Sequence, residues 1–175
     1  MLAIFAWGAF IGPAQAQYKN NQFGFEGGYM FIDDGTGLDA HGALIGLRAA
    51  YKMTDHWWLS ARAGLSFRGD VNPQLGGSNR DNTVVLFHVV PVEARYYFLT
   101  DFTRPFVGVT NSFQFLTNQE TNTSVLWGPG VSAGIEFRLR RDLFLGFQVD
   151  AYYMIALDVD DAPLATFTTQ VNFFL

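Results

Sequence analysis

The chain has no cysteine, which excludes a disulfide framework, a thiolate metal site and a lipid-carrying cysteine. Charge is scarce at 15% of residues, with a net value of −5 and a pI near 5.0. Nucleic-acid binders carry basic stripes, so nucleic acid is not an expected partner. Beyond the N-terminal segment no uninterrupted apolar run approaches the ~18–20 residues of a membrane helix. No glycine-rich phosphate loop, HExxH or other metal-ligand spacing occurs, so no cofactor and no metal site is expected. What the chain does have is 49% hydrophobic residues, 17% aromatics and 18 glycines. If it crosses a membrane, it must do so with strands.

Met1 to Ala16, MLAIFAWGAFIGPAQA, is an uncharged apolar run broken by Gly12 and Pro13 and closed by Ala14-Gln15-Ala16. It reads as a secretory signal peptide cleaved before Gln17, although no Lys or Arg precedes the apolar stretch. Residues 17–175 are then one domain.

The remainder alternates in steps of two, the period of strands. In Val125 to Leu139 the residues Val125, Trp127, Pro129, Val131, Ala133, Ile135, Phe137 and Leu139 are apolar, and those between are small or charged. Such a stretch exceeds the ~9–11 tilted residues that cross a bilayer. Similar runs are expected at about Gln22–Ile32, His41–Met53, Trp57–Arg68, Thr83–Phe98, Pro105–Leu116, Leu143–Leu157 and Thr166–Leu175. Pro91 requires a bulge or a local break in pairing in the fourth, whose apolar face runs through Val90, Val92, Ala94, Tyr96 and Phe98, and Asn111 interrupts the apolar face of the fifth. Polar connections of about eight to fourteen residues follow strands one, three, five and seven, and shorter turns follow the others. That alternation belongs to an eight-stranded antiparallel up-and-down transmembrane β-barrel with short periplasmic turns, longer outer loops and periplasmic termini.

A soluble barrel with its apolar face inward is the competing architecture. The lumen of eight strands is only wide enough for side chains, and here the apolar face is crowded with Phe, Trp, Tyr and Leu. The other face carries Gly24, Gly46, Gly64, Gly128 and Gly134 together with the charges. An Arg or Lys facing mid-bilayer costs about 2–4 kcal/mol, so charges and small residues belong inside and aromatics outside. Pro91-Val92-Glu93-Ala94-Arg95-Tyr96-Tyr97-Phe98, the leader and the aromatic last strand ending Phe173-Phe174-Leu175 resemble the small outer-membrane β-barrel domain proteins, a group that includes the transmembrane domain of outer membrane protein A. The resemblance implies a bacterial outer-membrane location. It also implies outer-membrane lipid, lipopolysaccharide and the barrel-assembly machinery as partners, with other envelope proteins possible.

The inward set is Glu26, Arg48, Lys52, Arg62, Arg68, Glu93, Arg95, Glu136, Arg138 and Asp150. Charges in a narrow, partly dry space must pair or keep water. They are expected to form a plug, with Glu93, Glu136, Arg62 and Arg95 at its heart; the alternative is a narrow path for ions or small solutes. Arg104, Arg140 and Arg141 read as periplasmic-turn residues. Asp33, Asp34, Asp39, Asp158, Asp160 and Asp161 form an acidic outer rim, and the DVDDAP run lacks the glycine and terminal glutamate of an EF-hand loop. Trp57, Tyr96, Trp127 and Tyr153 read as interfacial girdles, whereas Trp58 and Tyr97 point inward to close the bottom of the lumen. The resemblance also admits outer-leaflet lipid-modifying enzymes that use Ser and His. His41 opens strand two, His56 lies in a turn and His88 has lipid-facing parity; no serine stands obviously with them, so no catalytic residue is expected.

Overall fold

Long alternating runs leave a strand no option but to pair on both edges, since an unpaired backbone edge cannot sit in lipid. The computed structural model describes residues 20–32, 40–68, 84–118, 121–156 and 162–175. It contains β1 (Asn21–Ile32), β2 (Ala40–Lys52), β3 (Trp57–Arg68), β4 (Val84–Tyr97), β5 (Thr103–Asn118), β6 (Thr121–Arg140), β7 (Leu143–Ala156) and β8 (Ala162–Phe174). Each strand pairs antiparallel with its sequence neighbours, and β1 pairs with β8 from Gln22↔Phe174 to Ile32↔Leu164, closing the barrel. The seam places the start of β1 and the end of β8 at the same end as the connections 53–56, 98–102 and 141–142.

Connections at the opposite end are less uniform than the sequence suggests. Residues 69–83 separate β3 from β4, but only 119–120 separate β5 from β6. The polar run Thr117 to Ser124 is therefore mostly strand and not an outer loop. The proposed leader and the acidic residues Asp33, Asp34, Asp39, Asp158, Asp160 and Asp161 lie outside the described residues.

Side chains divide as the alternation dictates. Phe25, Phe31, Leu47, Trp57, Val109, Trp127 and Tyr153 are exposed on the outside, while Arg48, Arg95, Glu93, Glu136 and Asp150 are sealed within. In β4 the alternation inverts. From Glu93 to Val90 β4 uses three steps where β3 uses two, Ser60 to Arg62. From Glu93 to Val89 it uses four where β5 uses three, Thr110 to Phe113. Pro91 has no N–H to give the ladder, and the extra residue is absorbed there as a bulge. Pro91 and Val92 both face outward, so Glu93, Arg95 and Tyr97 point inward on one side of the bulge, and His88 and Val90 on the other. This corrects the lipid-facing parity read for His88 and Val90.

Two glycines let β2 and β3 approach across the lumen wall. Gly46 and Gly64 are register partners. A Cβ on Gly64 would lie 2.7 Å from the Ile45 carbonyl oxygen and 3.3 Å from Gly46 Cα, and one on Gly46 would lie 2.9 Å from Glu26 Oε1.

Candidate functional site

The interior is layered along the barrel axis. At the end carrying the short turns, Trp58, Tyr97 and Phe106 form a buried cluster with Phe174 packed against it. Their rings meet edge-on or tilted, with Trp58–Tyr97 at 5.8 Å and Tyr97–Phe106 at 5.3 Å between centroids. Arg104 threads this layer, its guanidinium 4.1 Å from the Phe144 ring centre and 4.8 Å from that of Tyr97. Aromatic faces attract a desolvated cation, so a charge can reach through an otherwise greasy seal.

Ionic residues occupy the middle of the lumen. Arg62 makes a two-pronged pair with Asp150, Nη1 to Oδ2 at 3.0 Å and Nη2 to Oδ1 at 2.9 Å, the planar fork that suits a carboxylate best. Its Nε is 3.4 Å from Glu93 Oε2. Arg95 donates to the same Glu93 oxygen at 2.9 Å, and Ser132 and Gln148 donate to Glu93 Oε1 at 2.7 and 3.1 Å. Glu136 receives Arg48 at 3.1 Å, the Tyr97 hydroxyl at 3.0 Å, Asn172 at 3.2 Å, and Arg104. Gln148 knits the two halves: its amide donates to Asp150 at 2.6 Å, and its carbonyl accepts from Arg95 and, at 2.6 Å, from Gln170.

Among the described residues the buried acids and bases balance: Glu26, Glu93, Glu136 and Asp150 stand against Arg48, Arg62, Arg95 and Arg104, four and four. Every one of these arginines lies within ion-pair distance of a carboxylate. Glu26 is the loosest member, reaching Arg62 only at 3.9 Å with an Oε2 that accepts no hydrogen bond. Paired buried charges of this kind resist single losses, because removing one partner strands the other in a dry space.

Three residues depart from the roles read for them. Arg104 is buried and paired, not a turn residue. Arg138 is exposed at the rim, at the last regular β6–β7 pair before the register slips, and gives Nη2 to the Arg141 carbonyl at 3.3 Å. Lys52 pairs with Asp55 in the β2–β3 turn at 2.6 Å and contributes nothing to the middle layer. The side chains of Arg68 and His41 lie outside the described residues. His56 sits in its turn, with Nδ1 2.7 Å from the Tyr97 carbonyl oxygen and its ring stacked on Tyr96. Trp57, Trp127 and Tyr153 are outward and exposed, and Tyr96 faces outward against the Trp57 ring at 5.1 Å. Among the described residues no three His, Cys, Asp or Glu side chains gather in a way that could hold a metal ion.

The profile of the outer membrane protein beta-barrel domain matches residues 2–173. Among solved structures, Neisserial surface protein A, NspA, superposes with a TM-score of 0.70 at 15% identity, covering 89% of this chain and 97% of that one. The N-terminal β-barrel domain of Pseudomonas aeruginosa OprF gives 0.59 at 20% identity over 90% and 100% of the two chains. The attachment invasion locus protein of Yersinia pestis, Ail, gives 0.60 at 11% identity over 88% and 98%. These likenesses are of fold. No curated protein matches the chain at a significant level.

Proposed function

Because the chain belongs to the outer membrane protein beta-barrel domain family, we propose that it is an integral outer-membrane barrel with a structural, anchoring or surface-interaction role, its lumen closed by paired charges. The balanced four-against-four ionic layer, capped by the Arg104 aromatic seal, carries this reading. A water-filled conductive path needs a row of unpaired charges or a continuous gap, whereas these arginines are committed to carboxylates. On this reading the short turns and both termini face the periplasm, and the opposite rim faces lipopolysaccharide. The assembly machinery would read β8. On this reading the barrel performs no lipid chemistry, which is supported by His88, sealed inside away from lipid, and by His56, bonded into a turn.

Refolded mature chain inserted in a planar bilayer tests the proposal. A folded, inserted and silent barrel is the expected outcome, and reproducible conductance steps would put a narrow ion or solute channel in its place.

A further inference from the structure

Beyond the ionic layer, toward the end opposite the short turns, the lumen joins an apolar cluster to a polar stripe. Met30, Leu44, Val90, Leu126, Tyr152, Met154 and Leu164 form the cluster. Beside it, β4 and β5 contribute His88, Ser112 and Gln114, which are 3%, 0% and 0% exposed. His88 and Gln114 are direct register partners on the inward face, and Ser112 is the next inward position along β5.

This polar stripe has no protein partners. Gln114 Nε2 and Oε1, Ser112 Oγ and His88 Nε2 are all sealed from the outside and make no hydrogen bond. The residues directly opposite supply none. Gly64 lies opposite His88 on β3, and Leu126 opposite Gln114 on β6. The Tyr152 ring meets His88 edge-on at 5.9 Å, but its hydroxyl oxygen already accepts from Arg62 at 2.8 Å. Buried amides and hydroxyls without partners are rare in folded proteins, and where they cluster, bound water normally satisfies them.

We propose that His88, Ser112 and Gln114 form a binding site for ordered water. The ligand must both donate and accept, since the carboxamide offers one group of each kind and the serine hydroxyl serves as either. It must be uncharged, because the neighbouring ionic layer is already balanced. It must be small, because an apolar cluster lies beside the stripe. The lumen is thus wet on one side of its ionic layer and aromatic on the other. Held water of this kind needs no through-path, so the site stands whether or not the barrel conducts.

The test is nuclear magnetic resonance of the refolded protein in micelles with labelled glutamine. Cross-relaxation between water and the Gln114 amide protons, assigned by their loss in Gln114→Leu, is the expected result. The Gln148 amide, committed to Glu93 and Asp150, should show none. Absence of a water signal at Gln114, or Gln114 protons bonded to a protein acceptor, overturns the proposal. A second reading comes from the Ser112→Ala/Gln114→Leu double variant. Its denaturant midpoint should equal or fall below that of the parent; a clear rise would mean that the stripe is dry and merely unpaired. Should the double variant fail to fold, the water measurement on the parent chain decides alone.

Discussion

Arg104 and Glu136 face each other directly in the β5–β6 register, and their side chains form a buried ion pair where the aromatic seal meets the ionic layer. Glu136 is thereby tied both to the seal and, through Arg48 and Arg95, to the far wall of the lumen.

Glu136→Gln should destabilise the barrel by about 3–5 kcal/mol, the range for leaving a buried charge without its partner. Urea unfolding of the refolded protein measures it. The paired change Arg104→Leu/Glu136→Leu should cost less than the sum of its two single changes, because it removes both charges of the pair together.

Gly64→Val should cost about 1–3 kcal/mol through overpacking. The added Cβ would meet the Ile45 carbonyl, the Gly46 backbone and the Leu44 side chain, and the nearest of these, the Ile45 carbonyl, is backbone, which yields less readily than a flexible side chain. Thermal unfolding in detergent reports the loss; an unchanged transition would mean that β2 and β3 can separate freely there.

Asn111→Val should stabilise the protein, by about 1–3 kcal/mol. Asn111 has outward parity on β5 between exposed Val109 and half-buried Phe113, and its Oδ1 is buried without a partner. Valine suits both lipid and a strand. A higher denaturant midpoint in bilayer vesicles is the expected observation.

Acid should act on the β2–β3 turn through Asp55. The hydrogen bond from Lys52, and then its charge, hold the Asp55 carboxyl below its ordinary value of 3.8. A depressed carboxyl favours the folded turn at all pH above the unfolded value, and the benefit is lost as pH falls through the folded one. The group is fully exposed, so salt should erase most of the effect. A chemical-shift titration of Asp55 with a midpoint below 3.8 that rises toward it in high salt would confirm this.

Most of the barrel was legible because lipid outside and a narrow lumen inside impose opposite demands on alternate residues. Glu93, Arg95, Glu136 and Asp150 could be placed from parity alone. Arg104 was not, because β5 was begun at Pro105; counting back in twos from Phe106 reaches it. Parity failed at His88 and Val90 for another reason. Pro91 announces a break in the ladder, but whether one residue or none is absorbed there depends on pairing with β3 and β5, which local sequence does not contain. Thr117 to Ser124 looked like a loop because its residues are polar on both faces. Threonine-rich segments still pair well once neighbours offer a ladder, and polarity marks only where lipid ends. The unpaired stripe of His88, Ser112 and Gln114 left no signal, since alternation says which way a side chain points and nothing about what it meets.

The way charge is distributed along the chain bears on how the barrel is assembled. Among the described residues the four buried arginines come from β2, β3, β4 and β5, and three of the four buried acids from β1, β6 and β7. Arg48 and Arg62 find Glu136 and Asp150 across 88 residues of chain. β1 to β4 therefore hold three of these arginines against Glu26 and Glu93, an excess of one positive charge, and β5 to β8 hold Glu136 and Asp150 against Arg104, an excess of one negative charge. Neither can enter hydrocarbon alone at tolerable cost. Each attracts the other across the future lumen while the β1–β8 seam is still open. The residual charge of each half is cancelled only when the two halves meet across the lumen. Pairs this remote in sequence are the kind that slow folding.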